Sequence, residues 1–144
     1  MEPVHIDDIP VLYVPVHAGG KAEARAFLEL ERRLGSPQGR RFYGTYLRGE
    51  YRASAVKKGG DSAEALGLEE GILPGGWYAR RLLEGGVQNI GSTLNAMARE
   101  NDYDPTRPEV EFYRREGEVV LMLPIVGEPA GGIPAGGRGG ARAS

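Results

Sequence analysis

Hydrophobic and polar positions follow two periods along the chain, and the change from one period to the other occurs twice. In the first half, residues 11–17 are rich in valine and predict a strand, although Pro15 favours an edge or a bulge. Apolar residues then recur every third or fourth position over 21–34, as in an amphipathic helix. The runs 42–47 and 51–56 predict a hairpin.

The connection at 57–76 is rich in glycine and charged residues, which predicts a surface loop with one helical turn begun by Asp61 or Ser62. After it the same order of patterns returns. Residues 76–83 predict a strand, 87–101 a helix, and 108–115 with 118–125 a second hairpin.

The chain is therefore predicted to contain two β-α-β-β units related by pseudo-twofold symmetry, at about 4–58 and 74–125. Paired edge to edge, they would form an antiparallel sheet of α+β class, with two helices on one face and a concave ligand cleft on the other. Residues 1–126 form the predicted domain. Residues 127–144 hold seven of the 23 glycines and predict a flexible tail.

Composition narrows the function classes. The net charge of -2 argues against general attraction to nucleic acid or to an anionic membrane surface. No apolar run approaches the length of a membrane span, so a cytoplasmic location is expected. Without cysteine there is no thiolate nucleophile and no disulfide. His5 and His17 have no third ligand nearby, so neither a metal site nor a cofactor is predicted.

The segment PEVEFYRR at 108–115 carries the best candidate for chemistry. Because side chains alternate between the two faces of a strand, Glu111 and Tyr113 lie on one face, and Val110 and Phe112 lie on the other. A carboxylate beside a phenol on one face is typical either of a solvated sheet surface or of a pocket wall. The pattern of this strand alone leaves both open.

Five segments in a fixed order resemble one known family. They are GWYA at 76–79, EGG at 84–86, NIG at 89–91, PEVEFY at 108–113 and LPI at 123–125. The order and spacing resemble the GyrI-like small-molecule-binding family, the effector-binding domain (SOUL/BmrR-like fold) that is also fused to AraC-type and MerR-type transcription activators. The resemblance covers residues 4–125 and implies a stand-alone member, since the two repeats and the tail account for the whole chain and leave no helix-turn-helix segment.

The resemblance implies a central cleft that binds hydrophobic, planar or cationic molecules over an acidic residue. Glu111 and Tyr113 match the family's acid and tyrosine two residues apart. Physical chemistry agrees, because a carboxylate in an apolar cleft needs a charged or hydrogen-bonding partner, which a ligand cation supplies. The other aromatic candidates for the cleft are Tyr13, Tyr43, Tyr46, Trp77 and Tyr78.

Structural roles compete with these assignments. By the alignment of the two repeats, Arg41 takes the position equivalent to Glu111, so the two could form an ion pair that closes the cleft to cations. Trp77 and Tyr78 point to opposite faces of their strand, so at most one of them lines the cleft. Tyr43 and Tyr46 could equally be packing residues.

Two other function classes stay open. The chain has no Ser-His-Asp set, P-loop or HExxH helix. Some GyrI-like proteins, however, are hydrolases that open the cyclopropane ring of DNA-alkylating natural products. In that hypothesis Glu111 activates water, and Tyr113 or Tyr78 hydrogen-bonds the substrate carbonyl. The third class is a protein partner, since the family is named after an inhibitor of DNA gyrase, but no surface in the sequence identifies one.

Overall fold

Eight antiparallel strands form one curled sheet in the computed structural model, which describes residues 1–36, 39–114 and 117–127. In chain order the strands are β1 (Val4–Ile6), β2 (Ile9–His17), β3 (Phe42–Leu47), β4 (Glu50–Val56), β5 (Glu69–Leu73), β6 (Gly76–Leu82), β7 (Glu109–Tyr113) and β8 (Val119–Pro124). The helices are α1 (Gly20–Leu34), the single turn α2 (Ala63–Leu66) and α3 (Ile90–Glu100), the last preceded by a 3-10 turn at Val87–Asn89. The predicted α+β class is confirmed. Within the described ranges, no helix is long and apolar enough to cross a membrane.

The two β-α-β-β units meet at the centre of the sheet, where β3 pairs with β7. The strand order is β1-β6-β8-β7-β3-β4-β2-β5, so β3-β4-β2 on one side corresponds to β7-β8-β6 on the other. The register of the central pair runs from Phe42 opposite Tyr113 to Tyr46 opposite Glu109, with Gly44 opposite Glu111 in the middle. A pseudo-twofold axis therefore passes between Gly44 and Glu111, which are structural equivalents.

The two long helices pack on the same face of the sheet, each over its own half. Helix α1 begins after Gly19, whose N–H donates to the Glu23 side chain at 3.0 Å, and ends at Gly35, which has φ 80°. It buries Ala26 and Leu30 against β2 and β4, and α3 buries Leu94 and Met97 against β6 and β8. Each fully buried leucine contributes about 2 kcal/mol. Neither helix covers β3 and β7, so a groove is left between them.

The opposite face of the sheet has no long helix among the described residues and is filled by side chains from both halves. This cluster consists of Val11, Tyr13, Tyr43, Leu73, Tyr78, Val110, Val120 and Met122. The sheet curls around these apolar side chains and so removes them from water. A concave cleft was predicted on this face, with Glu111 in it. The Glu111 side chain instead faces the helices and lines the groove between α1 and α3.

Two strands were not predicted. β1 was not recognised because three residues, VHI, carry no periodic signal. β5 was included in the predicted 57–76 loop, since EEGIL is charged and contains glycine, but it pairs with β2 at the edge of the sheet. The helical turn in that connection is confirmed, and the Ser62 hydroxyl caps it by accepting the Ala65 N–H at 3.1 Å. The predicted tail lies outside the described residues from 128 onward.

Pro15 lies where β2 has one neighbouring strand. The pairing of β2 with β5 ends at Tyr13, whereas the pairing with β4 continues through Pro15 opposite Arg52. The proline therefore occupies an edge portion of its strand, as its missing N–H predicts.

Candidate ligand-binding site

The groove between α1 and α3 contains a pocket of about 420 Å³, with β3, β4 and β7 as its floor. This volume lies within the range of small-molecule sites. Its lining comprises Ala18, Gly20, Glu23, Ala24, Phe27, Tyr46, Tyr51, Val87, Ile90, Gly91, Leu94, Glu109, Glu111 and Tyr113. We call it the helix-side pocket. Both repeats contribute to it, so the site exists only where the two halves meet.

The Glu111 carboxylate is held at the centre of the pocket floor by two phenols. Its Oε1 accepts hydrogen bonds from the hydroxyl of Tyr51 at 2.7 Å and from that of Tyr113 at 2.5 Å. The bond from Tyr113 follows from strand periodicity, because residues two apart share a face. Tyr51 comes from β4, in the other repeat.

Gly44 makes the bond from Tyr51 possible. A Cβ atom at Gly44 would lie 2.0 Å from the Tyr51 hydroxyl oxygen and 2.7 Å from Glu111 Oε1. The Tyr51 side chain therefore crosses β3 through the space that a side chain at Gly44 would occupy. Because Gly44 of the first repeat has no side chain, the Glu111 carboxylate of the second repeat and the Tyr51 hydroxyl can meet there.

Phe27 from α1 fixes the two phenol rings. Its ring centroid lies 5.1 Å from that of Tyr113 and 6.2 Å from that of Tyr51, in both cases edge to face. Because both hydroxyls are bonded and both rings are packed, the orientation of Glu111 is set before any ligand arrives.

Burial raises the pKa of the Glu111 carboxyl above its ordinary value of 4.5, and the hydrogen bonds from Tyr113 and Tyr51 offset part of that rise. The negative charge of Glu23 raises the pKa further. Burial and the charge of Glu111 also raise the pKa values of Tyr51 and Tyr113, so both phenols stay protonated and donate at neutral pH. The carboxylate has hydrogen-bond donors but no counter-charge from these partners.

The lining is acidic. Glu109 lies on the same face of β7 as Glu111, and burial raises its pKa. Its Oε2 accepts a hydrogen bond from the Tyr103 hydroxyl at 3.4 Å. Glu23 lies at the pocket wall, on the first turn of α1. Three carboxylates thus line the pocket, and its described lining contains no Lys or Arg.

The sequence-predicted site residues divide between the two faces. Glu111, Tyr113 and Tyr46 line the helix-side pocket. Tyr13, Tyr43 and Tyr78 belong to the core on the opposite face. Trp77 does lie on the helix side, but it packs under α3 and against His5 at 5.3 Å, away from the pocket.

Contacts explain why three of the predicted tyrosines are packing residues. The Tyr13 ring lies beneath the Arg52 guanidinium at 4.1 Å, and Tyr43 stacks on Phe112 at 5.0 Å. The Tyr78 hydroxyl donates to the backbone oxygen of Pro74 at 2.6 Å. Trp77 and Tyr78 do point to opposite faces, as their spacing predicts.

Arg41 does not pair with Glu111. Gly44, three residues further along the chain, occupies the equivalent position, and the Glu111 side chain bonds to tyrosines instead. The sequence alignment matched Phe42-Tyr43 with Phe112-Tyr113 by residue type. In the sheet, Tyr46 is the equivalent of Tyr113, because the register is centred on the pair Gly44 and Glu111.

Sequence reasoning missed four residues that matter to Glu111: Tyr51, Phe27 and Glu109, which line the pocket, and Gly44, which lies beside Glu111 in the sheet. Tyr51 opens a predicted strand, and Phe27 lies on a predicted helical stripe, and neither pattern indicates a contact with Glu111. Glu109 was visible, since it lies two residues before Glu111 and must share its face. Gly44 inside the strand run FYGTYL was also a signal, because glycine in a strand marks a close approach of another group.

In the described part of the chain, no three His, Asp or Glu side chains come together as a possible metal-ligand set. The carboxylates of the helix-side pocket are spaced around an apolar volume and do not converge on one point. The lining therefore suits an organic ligand better than an ion alone.

No family model matches the chain, and no curated protein sequence matches it. Solved structures do share its fold. SAV2435 bound to tetraphenylphosphonium matches with a TM-score of 0.60 at 13% identity, covering 88% of this chain and 93% of that one. An integron cassette protein from the mobile metagenome of Vibrio cholerae matches with a TM-score of 0.61 at 13% identity, covering 87% and 95%. A hydrolase from Listeria innocua has a TM-score of 0.61 at 13% identity, covering 87% and 90%.

These likenesses show the fold, which is consistent with the GyrI-like domain that the sequence resembles. One of the neighbours holds a cationic ligand.

Proposed function

We propose that this protein is a GyrI-like small-molecule-binding domain and that the helix-side pocket binds a hydrophobic organic cation over Glu111. One observation carries the proposal: three carboxylates line an otherwise apolar and aromatic pocket whose described lining contains no Lys or Arg. A planar or branched aromatic cation fits the chemistry of this lining. The neighbour that binds tetraphenylphosphonium supports the ligand class, on a shared fold.

The energetic argument begins with the desolvated carboxylate. The phenol hydroxyls stabilise Glu111 by hydrogen bonding, but they do not neutralise it. A monocation in the pocket supplies the counter-charge, and the low-dielectric walls strengthen that attraction. Faces of Phe27 and Tyr46 add about 0.5–2 kcal/mol each if the cation lies over them. Glu23 and Glu109 raise the negative potential and so favour entry of a cation.

Calorimetric titration with tetraphenylphosphonium tests the proposal. We expect Glu111→Gln to weaken binding by about 10–100-fold, since charge-assisted contacts contribute about 1.5–3 kcal/mol. Glu64→Gln is the matched control, because it removes the same charge from an exposed residue of α2. Triphenylphosphine oxide, a neutral molecule with similar phenyl groups, should bind much more weakly to the unchanged protein. Equal affinity of the Glu111→Gln and Glu64→Gln variants for tetraphenylphosphonium would contradict the proposal.

Hydrolysis is a second candidate function, favoured by the geometry of Glu111. Both phenols bond to Oε1, which leaves Oε2 available to accept a proton from water. Burial raises the pKa of this carboxyl toward the range useful for a general base. Tyr51 or Tyr113 would hydrogen-bond the substrate oxygen that gains charge, and Tyr78 has no such role because it faces the other core. One neighbour of this fold is a hydrolase.

Mass spectrometry separates the two candidates. Incubation with a cyclopropane-bearing alkylator should yield a product heavier by one water if the protein is a hydrolase of this type, and the yield should fall in Glu111→Gln. Binding of the alkylator without any such product would assign the pocket to ligand binding alone.

A further inference from the structure

The face of the sheet opposite the helices contains a second pocket, of about 340 Å³. It lies at the β3–β4 end of the curled sheet, behind the floor of the helix-side pocket, and we call it the rear pocket. Its lining comprises Val11, Thr45, Leu47, Arg48, Glu50, Arg52, Ser54, Ile72, Leu73, Pro74 and Pro108. No residue of the helix-side pocket belongs to this set.

Two hydroxyl groups of the rear pocket have no hydrogen-bond partner among the described residues. Ser54 is 1% exposed and Thr45 is 8% exposed, and within the described part of the chain neither side chain makes a hydrogen bond. A buried hydroxyl without a partner costs free energy, so such groups are normally paired. Neither hydroxyl oxygen is sealed from the surface, since the Arg40 Nε is the one fully buried side-chain nitrogen or oxygen without a partner among the described residues. The two hydroxyls therefore face the pocket and are free to bond to whatever occupies it.

The charge of the rear pocket is opposite to that of the helix-side pocket. Arg52 is held in place by the Tyr13 ring at 4.1 Å and by Glu50 Oε1 at 2.9 Å. Arg48, in the turn between β3 and β4, has no ion-pair partner among the described residues. Two arginines and one glutamate give the lining a net charge of +1.

The geometry points to a second ligand site in the rear pocket, which binds a small organic monoanion, a carboxylate with an apolar body. The arginines contact the carboxylate, the hydroxyls of Ser54 and Thr45 donate to it, and the apolar body lies against Val11 and Leu73. The proposal does not depend on cation binding at the helix-side pocket, because the two linings share no residue.

Octanoate is the probe, with 1-octanol as the neutral analogue of equal chain length. In heteronuclear NMR spectra of the whole chain, octanoate should shift the backbone amides of Thr45 and Ser54 in a saturable manner, and octanol should bind at least about tenfold more weakly. Arg48→Gln should weaken octanoate binding by about tenfold, since hydrogen bonds to charged groups are the stronger ones. Arg99→Gln is the matched control, because it removes the same charge from an exposed position on α3.

Ser54→Ala separates a binding role from a structural one. The substitution removes an unpaired hydroxyl, so the melting temperature should stay the same or rise, while octanoate binding weakens. Unchanged octanoate affinity in Ser54→Ala together with unchanged affinity in Arg48→Gln would overturn the proposal. So would equal binding of octanol and octanoate, or amide shifts confined to the helix-side pocket.

Discussion

Arg40 and Arg107 occupy the same place in the two halves of the molecule and do the same work there. Each lies two residues before the first strand of its hairpin, β3 or β7. Arg40 bonds to both carboxylate oxygens of Asp61, at 2.8 and 3.0 Å, and to the Val56 oxygen at 3.1 Å. Arg107 bonds to Asp104 at 3.0 Å and to three backbone oxygens. Each arginine therefore links the open end of its hairpin, opposite the turn, to a neighbouring loop.

Gly44 and Glu111 also occupy equivalent positions in the two halves, but their side chains are very different. One has no side chain, and the other carries the carboxylate that occupies the space between the repeats. The halves are therefore alike where residues hold the architecture and unlike where residues form the pocket. The similar halves form the groove between the two helices. The difference between Gly44 and Glu111 at the pseudo-twofold axis provides its carboxylate.

The arginines that hold the hairpins give the largest expected effect on stability. We expect Arg107→Gln to lower the free energy of unfolding by about 3 kcal/mol, because it removes a largely buried ion pair with Asp104 and three hydrogen bonds to backbone oxygens. Arg40→Gln should cost less, since it removes one hydrogen bond to a backbone oxygen rather than three. Urea unfolding measures both, with exposed Arg99→Gln as control. A larger loss in Arg40→Gln than in Arg107→Gln would break the proposed correspondence.

Gly44→Ala tests whether the pocket depends on the difference between the halves. The new methyl would overlap the Tyr51 hydroxyl, so Tyr51 must move and the pocket floor must rearrange. Overpacking of this kind costs about 1–3 kcal/mol, and the loss should appear both in urea unfolding and as weaker tetraphenylphosphonium binding.

Two further variants check the cause. Gly59→Ala is the control, since a Cβ at Gly59 has nothing within 4 Å. Combining Gly44→Ala with Tyr51→Phe removes the atom that clashes most and should restore part of the stability. A Gly44→Ala protein as stable as Gly59→Ala would show that Tyr51 does not need this space.

Much of the fold was accessible from the sequence, because it depends on periodicity. The stripe on 21–34 and the alternation over 42–47 and 51–56 identify α1, β3 and β4 to within a residue. Short, charged β5 was not accessible, since its strand conformation comes from pairing with β2 rather than from its own pattern. The sequence also did not show that Glu111 faces the helices, because alternation within β7 places Glu111 and Tyr113 on one face but does not say which face the helices cover.

The site was accessible only within one strand. Glu111 with Tyr113 follows from a two-residue spacing. Tyr51 reaches Glu111 across β3, so the contact depends on the register between β3 and β7. Matching the two repeats by residue type placed Arg41 opposite Glu111, whereas the residue opposite Glu111 in the sheet is Gly44, three positions further on. Gly44 in the sequence indicates that another group approaches β3 closely, but a single glycine does not identify that group as the Tyr51 side chain.

Tyr51→Phe gives a smaller effect, at the pocket itself. The variant keeps the ring against Phe27 and removes one donor from a desolvated carboxylate, so the pKa of Glu111 should rise further and the unfolding free energy should fall by about 1 kcal/mol. Carbon-13 NMR of the Glu111 carboxyl follows the titration. Tyr113→Phe should act in the same direction, since its hydroxyl bonds to the same oxygen. A lower pKa of Glu111 in either variant would contradict the arrangement.

The pH dependence of stability gives the smallest effect and opposite signs for the two kinds of residue. Burial raises the pKa of Glu111 in the folded state, so its contribution is fully present below its ordinary value of 4.5 and is lost as the pH rises through the folded value. Relative to Glu111→Gln, the unchanged protein should therefore lose stability as the pH rises above 4.5. Hydrogen bonds from Arg40 lower the pKa of Asp61 from 3.8 to about 2, so its contribution is present above 3.8 and is lost as the pH falls through 2. Urea unfolding between pH 2 and 8 of the unchanged protein, Glu111→Gln and Asp61→Asn measures both differences. The prediction is wrong if the two stability differences change in the same direction with pH, because ionised Glu111 should oppose folding and ionised Asp61 should favour it.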